Sequence, residues 1–403
     1  MRHSLLLGLA LSTVAVNAHA GGGAPLKESA AFEQSLSAAQ PAAPASDGTA
    51  EGRLGFASMR RANRAAAEIL KQQMREQRPA DLKLLAEAGN ADVLVISGQY
   101  DRVQDVLRAV GVRHLTVPPH LVKKLDLLPT QTVMLNCPGN VGPEGIAKLR
   151  SFVERGGYLV TTDWAITAVQ KAFPRTIAHG GTDTSNDVVA VHIHDGDEPL
   201  LKHVKVSANR PRWWLETSSY PIKVLDPQRV KVLMSSKEMK QRYGESAIAV
   251  SFTVGDGKVL HMTSHFFLQQ SKLVAAADKQ RGSSFAKSAG LSDKSILALK
   301  DQGIDVDGAK AGELNSAYSM QAVSTNLLVE KQRRNDELLA KRYKGRITAP
   351  VQLSSGAGVA PKPTSRALQT DYRVEVLERK DKQVKVRDLF GNVGWTSADA
   401  VAE

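Results

Sequence analysis

The feature that most constrains this chain is a series of short, almost wholly apolar segments separated by amphipathic ones. ADVLVISG (91–98), QTVMLNCPG (131–139) and GYLVTTDW (157–164) carry too few polar residues for one face to meet water. Strands of this kind are covered on both faces, the state of a parallel sheet between two helical layers. Between them, DRVQDVLRAVG (101–111) reads as a helix closed by Gly111. PEGIAKLRSFVERGG (143–157) reads as a helix opened by Pro143, with Ile146, Leu149 and Val153 at helical spacing and Gly156-Gly157 as its stop. RHLTVPP (113–119) supplies a short second strand. Later strands are VVAVHIHD, KVLMSS, AIAVSFTVG and GKVLHMTSHF, and the last two, joined through GDGK, read as a hairpin. The expected sheet is therefore mostly parallel and mixed at one side.

The flanks read differently. MRHSLLLGLALSTVAVNAHA (1–20) has a basic start, an apolar run from Leu5 to Val16 and Ala-His-Ala, the pattern of a cleavable secretory signal. Its apolar run is short for a membrane span, and no later segment is apolar enough, so no transmembrane segment is expected in the mature chain. Residues 21–56, rich in Gly, Ala, Pro and Ser, read as a disordered linker. A long helix is expected over Arg60–Gln77, and the α/β domain over 57–343, with a polar insertion at 271–312 containing weak helices. AYSMQAVSTNLLVEKQRRNDELLAKRY reads as a long helix that packs on the sheet and becomes polar as it leaves. A second linker begins at 344, followed by DYRVEVLERKDKQVKVRDLFGNVGWTSADAVAE. Clean alternation through Val374, Val376, Val384 and Val386 makes this a small antiparallel all-β module, so that 344–403 comprises linker and module.

Cys137 is the only cysteine, so no internal disulfide forms and the core alone must hold an exported fold. The formal charge of +12 is spread along the chain, a general affinity for polyanions and not a nucleic-acid surface. No helix-turn-helix or aromatic-basic RNA signature appears. Peptidoglycan or another envelope protein is the expected partner, in the periplasm or outside the cell.

Ligands of doubly wound sheets sit beyond the carboxyl ends of the strands. Cys137, Asp163, Trp164 and His265 all fall at such ends and are the candidate pocket-lining residues. A thiol, a carboxylate and an imidazole are the groups that nucleophilic catalysis uses. Against that, Cys137 precedes Pro138-Gly139 in a loop with no adjacent cation, and a lone cysteine usually packs as a small hydrophobe. Asp163 has an alternative role as cap of a helix beginning at Trp164. No residue is assigned as catalytic. His192 and His194, with Asp195, Asp197 and Glu198 nearby, share one strand face, but no second ligand cluster is evident and no metal is assigned. GDGK lacks phosphate-loop spacing, and no cofactor is expected. RPRWWLETSSYPI (210–222) concentrates Arg212, Trp213 and Trp214; these, with Trp395, form the candidate recognition surface, the competing role being core packing.

FVERGGYLVTTDWAI and GDGKVLHMTSHFF resemble two segments of the class I glutamine amidotransferase-like superfamily, in its ThuA-like branch. The likeness covers about residues 90–270 and the late helix. It implies a flavodoxin-like three-layer fold. Where active members carry Gly-x-Cys-x-Gly, this chain has Thr162-Asp163-Trp164, and Cys137 lies one strand earlier. The resemblance therefore implies that glutaminase chemistry is absent. Val384, Val386 and Gly394-Trp395 resemble the paired strands and Gly-Trp turn of bacterial SH3-like domains, implying a small barrel that binds wall polymer or peptides. Together these features point to a non-catalytic envelope binding or scaffolding protein. The alternative is a hydrolase acting on an envelope substrate through Cys137, Asp163 and His265, or through a metal at His192 and His194.

Overall fold

A computed structural model describes residues 50–194, 197–266, 272–360 and 367–402. The stretch read as a signal segment and most of the first expected linker lie outside the described residues. The apolar segments do become strands: β1 (Val93–Ile96), β2 (Leu115–Val117), β3 (Thr132–Leu135) and β4 (Tyr158–Thr162). Every residue of β1, β3 and β4 is buried, as two-sided coverage requires.

Neighbouring side chains point to opposite layers. Val93, Val95, Met134 and Val160 join one core with helices α1 (Ala50–Gln77), α2 (Pro79–Glu87), α3 (Val103–Val110) and the 32-residue α9 (Ala311–Arg342). Leu94, Ile96, Val133, Leu135 and Leu159 join a second core with α4 (Gly142–Glu154) and α5 (Ile166–Ala172). The main sheet runs β2-β1-β3-β4-β12-β11-β10-β7, where β7 is His192–Ile193, β10 Lys231–Ser235, β11 Ala247–Val254 and β12 Gly257–Met262. Pairings from β2 through β12 are parallel, and those from β12 to β7 antiparallel. The first five positions thus follow the 2-1-3-4-5 order of doubly wound sheets, with β12 in fifth place. Gly257 is required at the hairpin, because a Cβ there would lie 2.0 Å from Val153 O and 2.4 Å from Gly157 O.

VVAVHIHD divides. β6 (Asp187–Ala190) leaves the main sheet and pairs with β8 (Arg212–Leu215) in a two-stranded ribbon, while β7 stays at the sheet edge. The polar insertion contains α7 (Gly282–Ser288) and α8 (Asp293–Asp301), which carry Phe285, Ala286 and Leu299 into the first core. Helix α9 is buried along its first two-thirds and exposed beyond, as its polarity predicts. Lys331, at that change, is buried and donates to Pro129 O (2.7 Å) and Gly156 O (2.8 Å), tying the helix to the starting edge of the sheet. Burial pushes its ammonium down to about 7.

Two expected boundaries move. Helix α1 begins at Ala50, inside the stretch read as linker. At the other end, β13 (Gly345–Ile347) follows α9 almost at once and pairs with β16 (Arg373–Lys380) and β19 (Val401–Ala402). With β17 (Gln383–Asp388) and β18 (Val393–Ser397) they form an antiparallel sheet ordered β18-β17-β16-β13-β19. The start of the presumed second linker is thus a strand, which its mixed composition hides. This β module is held firmly. Arg155 donates to Leu389 O and Leu127 O, Arg342 bridges Asp256 (2.6 Å) and Glu375 (3.2 Å), and Leu128, Tyr343 and Leu389 pack together. Arg155 precedes β4 and Asp256 precedes β12, so the module sits at the amino ends of the parallel strands. The carboxyl ends, where Cys137, Asp163 and His265 fall, face the other way.

Candidate functional site

Each part of the carboxyl-end rim is set by a local constraint. The loop after β1 folds onto the end of β3, where Gln99 and Tyr100 donate their amides to Cys137 O at 3.1 and 3.4 Å. Gly98 makes this approach possible; a Cβ there would stand 2.1 Å from that same oxygen. Strand β4 ends in Asp163, whose φ of 45° is a left-handed conformation that aspartate tolerates better than most residues. A single turn over Asp163–Ala165 then leads into α5.

Asp163 is the hub of the rim. Its Oδ1 accepts from the Tyr220 amide at 2.7 Å, and its Oδ2 accepts from Ser219 Oγ at 3.1 Å. The same Oδ2 lies 3.2 Å from His265 Nε2 and accepts from the Cys137 thiol at 3.9 Å. The helix-cap role is thereby corrected: the carboxylate serves the 216–220 loop and His265. His265 is engaged on both sides, its Nδ1 standing 2.8 Å from Glu216 Oε2. These are close ion-pair contacts without good hydrogen-bond alignment, since His265 Nε2 and Glu216 Oε2 make none. Cys137, Asp163 and His265 are 0, 2 and 3% exposed.

The electrostatics follow from that burial. Burial pushes the Cys137 thiol up, and the adjacent His265 only partly offsets it. Burial disfavours a charged His265, but Asp163, Cys137 and Glu216 together prevail and hold its pKa well above the usual imidazole value. One layer further in, Asp101 Oδ2 accepts from Thr162 Oγ1 (2.7 Å) and Oδ1 from the Phe266 amide (3.0 Å), joining the ends of β1, β4 and β12. Burial raises its pKa as well.

Above the cluster lies an aromatic strip. Tyr100 meets Trp164 edge-on at 5.2 Å, Trp164 lies 5.7 Å from Tyr220, and Tyr220 stacks on His179 at 4.0 Å. Trp164 is anchored through Nε1 to Ser218 O and remains partly exposed, and Tyr100 is 38% exposed.

The four candidate pocket residues thus come together, and sequence spacing missed Asp101, Glu216, Ser219 and Tyr220. The last three lie within RPRWWLETSSYPI, but in its polar half. The recognition-surface reading of that segment is corrected: Trp213 and Trp214 are buried, and Arg212 turns inward to Glu238 and Val188 O. They alternate across β8, and each indole N–H finds an internal acceptor, Ser319 Oγ or Asn186 Oδ1. Trp395 is also buried, with Lys385 Nζ 5.8 Å over its ring. His192 and His194 pack edge to face, and His194 Nε2 contacts Ser235 Oγ at 2.9 Å. Among the described residues, the grouping of metal-type donors is Cys137, Asp163 and His265, not this pair; Asp195 lies outside them.

No protein-family model and no curated protein matches the sequence. Among solved structures, the chain is similar to a glutamine amidotransferase from Thermotoga maritima, with 12% identity and a TM-score of 0.36 over 61% of this chain and 99% of that one. It is also similar to a ThuA-like protein from Bacteroides uniformis, with 13% identity and a TM-score of 0.31 over 44% and 83%. A third is the exo-β-1,4-mannosidase Op5Man5 from an Opitutaceae bacterium, at 14% identity and TM-score 0.30, over 43% of this chain. The chain spans 31% of that enzyme's length.

Proposed function

We propose that this chain is an exported, non-catalytic binding or scaffolding protein of the cell envelope. In this reading the aromatic strip on the carboxyl-end rim takes a ligand or partner. The SH3-like module, at the opposite end of the strands, tethers the protein to peptidoglycan or to another envelope protein. The observation that carries the reading is the state of Asp163. It stands where the amidotransferase-like resemblance would place a nucleophile, and its carboxylate is occupied by Tyr220, Ser219, His265 and Cys137. The partly exposed chemistry above it is aromatic, which suits binding by contact area.

Retention of the full chain on purified peptidoglycan tests the tether. Leu377 and Val393 are exposed apolar residues of the β module. The variant Leu377→Glu, Val393→Asp is expected to stay folded and to lose most of its retention. Equal retention by both proteins would remove the tether from the account.

One observation favours a second reading, a hydrolase: Cys137, Asp163 and His265 do converge. Hydrolysis of wall fragments by the full chain, abolished by Cys137→Ala and by His265→Ala without loss of stability, would establish it instead.

A further inference from the structure

Cys137, Asp163 and His265 each place a donor atom within 4.8 Å of the other two. Zinc holds sulfur at about 2.3 Å and nitrogen or oxygen at about 2.0–2.2 Å, so tetrahedral geometry sets neighbouring donors roughly 3.3–3.6 Å apart. The separations from Asp163 Oδ2, 3.2 Å to His265 Nε2 and 3.9 Å to Cys137 Sγ, fit that frame to within a few tenths of an ångström. Three strand ends deliver these donors to one point; the Tyr220 amide fixes Asp163 through its other oxygen, Oδ1, and Ser219 Oγ donates to Oδ2 itself.

Two further observations point to a cation. His265 Nε2 is buried, faces a carboxylate and a thiol, and makes no aligned hydrogen bond. Its other nitrogen, Nδ1, sits 2.8 Å from Glu216 Oε2. A metal-bound histidine commonly donates its second N–H to a carboxylate in this way, which fixes ring and tautomer. The sulfur ligand selects zinc-like ions over magnesium or calcium.

We propose that Cys137 Sγ, Asp163 Oδ2 and His265 Nε2 bind a zinc-type divalent cation, with Glu216 as the outer carboxylate that orients the histidine. Three protein ligands leave the fourth tetrahedral position to a solvent or ligand atom. This inference does not depend on the envelope reading.

Cobalt(II), a spectroscopic stand-in for zinc, tests it. Full-chain protein, reduced and freed of metal by chelator, is titrated with cobalt. The expected result is one ion per chain, with ligand-field bands of a tetrahedral site and a thiolate-to-cobalt charge-transfer band, both lost on adding zinc. Cys137→Ser should lose the charge-transfer band. Glu216→Gln changes a partly exposed residue whose loss leaves the ligands in place, and should weaken affinity about 10–100-fold. Absence of stoichiometric binding to the reduced, folded protein would overturn the proposal. So would cobalt spectra unchanged in Cys137→Ser and Glu216→Gln, which would put the ion elsewhere.

Discussion

Replacing Asp163 with alanine is expected to destabilise the chain by about 3–5 kcal/mol, the range for removing one partner of a buried charged group. Three neighbours would lose their partner together: the Tyr220 amide, Ser219 Oγ and the His265 ring. The backbone adds to the loss, because a left-handed φ of 45° is less strained for aspartate than for alanine. Asp163→Asn separates the contributions. Asparagine still accepts from Tyr220 and tolerates the backbone, but presents no charge to His265, so about 1–2 kcal/mol is expected. Urea unfolding of both variants measures the difference. An Asp163→Ala midpoint equal to that of the parent would mean that the hub does not hold the strand ends together.

Trp213→Ala is the other large effect, expected at about 3–5 kcal/mol. Trp213 has no exposed surface and lies in the core shared by β8 and α9, where its indole donates to Ser319 Oγ at 3.0 Å. The substitution would leave a large cavity and remove the indole donor, while Ser319 Oγ keeps its own bond to Ser316 O at 3.0 Å. Thermal or urea unfolding reads the loss directly. A recognition residue would behave the opposite way, with unchanged stability and weakened partner binding, and that outcome would restore the surface assignment.

The fold was legible where burial acts locally on sequence. Strands covered on both faces cannot hide their apolar content, so β1, β3, β4 and the β11–β12 hairpin stand out, as do the glycine stops at 111 and 156–157. What stayed hidden depends on pairing between distant segments. Whether β6 continues into the main sheet or leaves it for β8 is decided by tertiary packing, since both strands are apolar. The Trp213-Trp214 pair illustrates the same limit. Alternation along a strand sends neighbouring side chains to opposite faces, and only the surrounding fold determines whether both faces are buried.

The site was half legible for a related reason. Strand ends can be located from the apolar runs, and Cys137, Asp163 and His265 do meet. Glu216, Ser219 and Tyr220 follow a ribbon strand that is not part of the parallel sheet, so no rule about strand ends selects them. Asp101 opens the segment read as a helix and resembles an ordinary polar residue of a turn. Its contacts with Thr162 and Phe266 give it a structural place at the rim.

The central claim is that this rim is a buried cluster whose single thiol is not poised for attack. Native-state labelling of Cys137 by a soluble thiol reagent at neutral pH, with chelator present, tests it most directly. The account predicts that the folded chain reacts no faster than its rate of opening, because the residue is fully buried and burial raises the thiol's pKa, and that labelling becomes rapid once urea unfolds it. Complete labelling of the folded protein within the mixing time would contradict the account and identify Cys137 as an accessible, activated nucleophile.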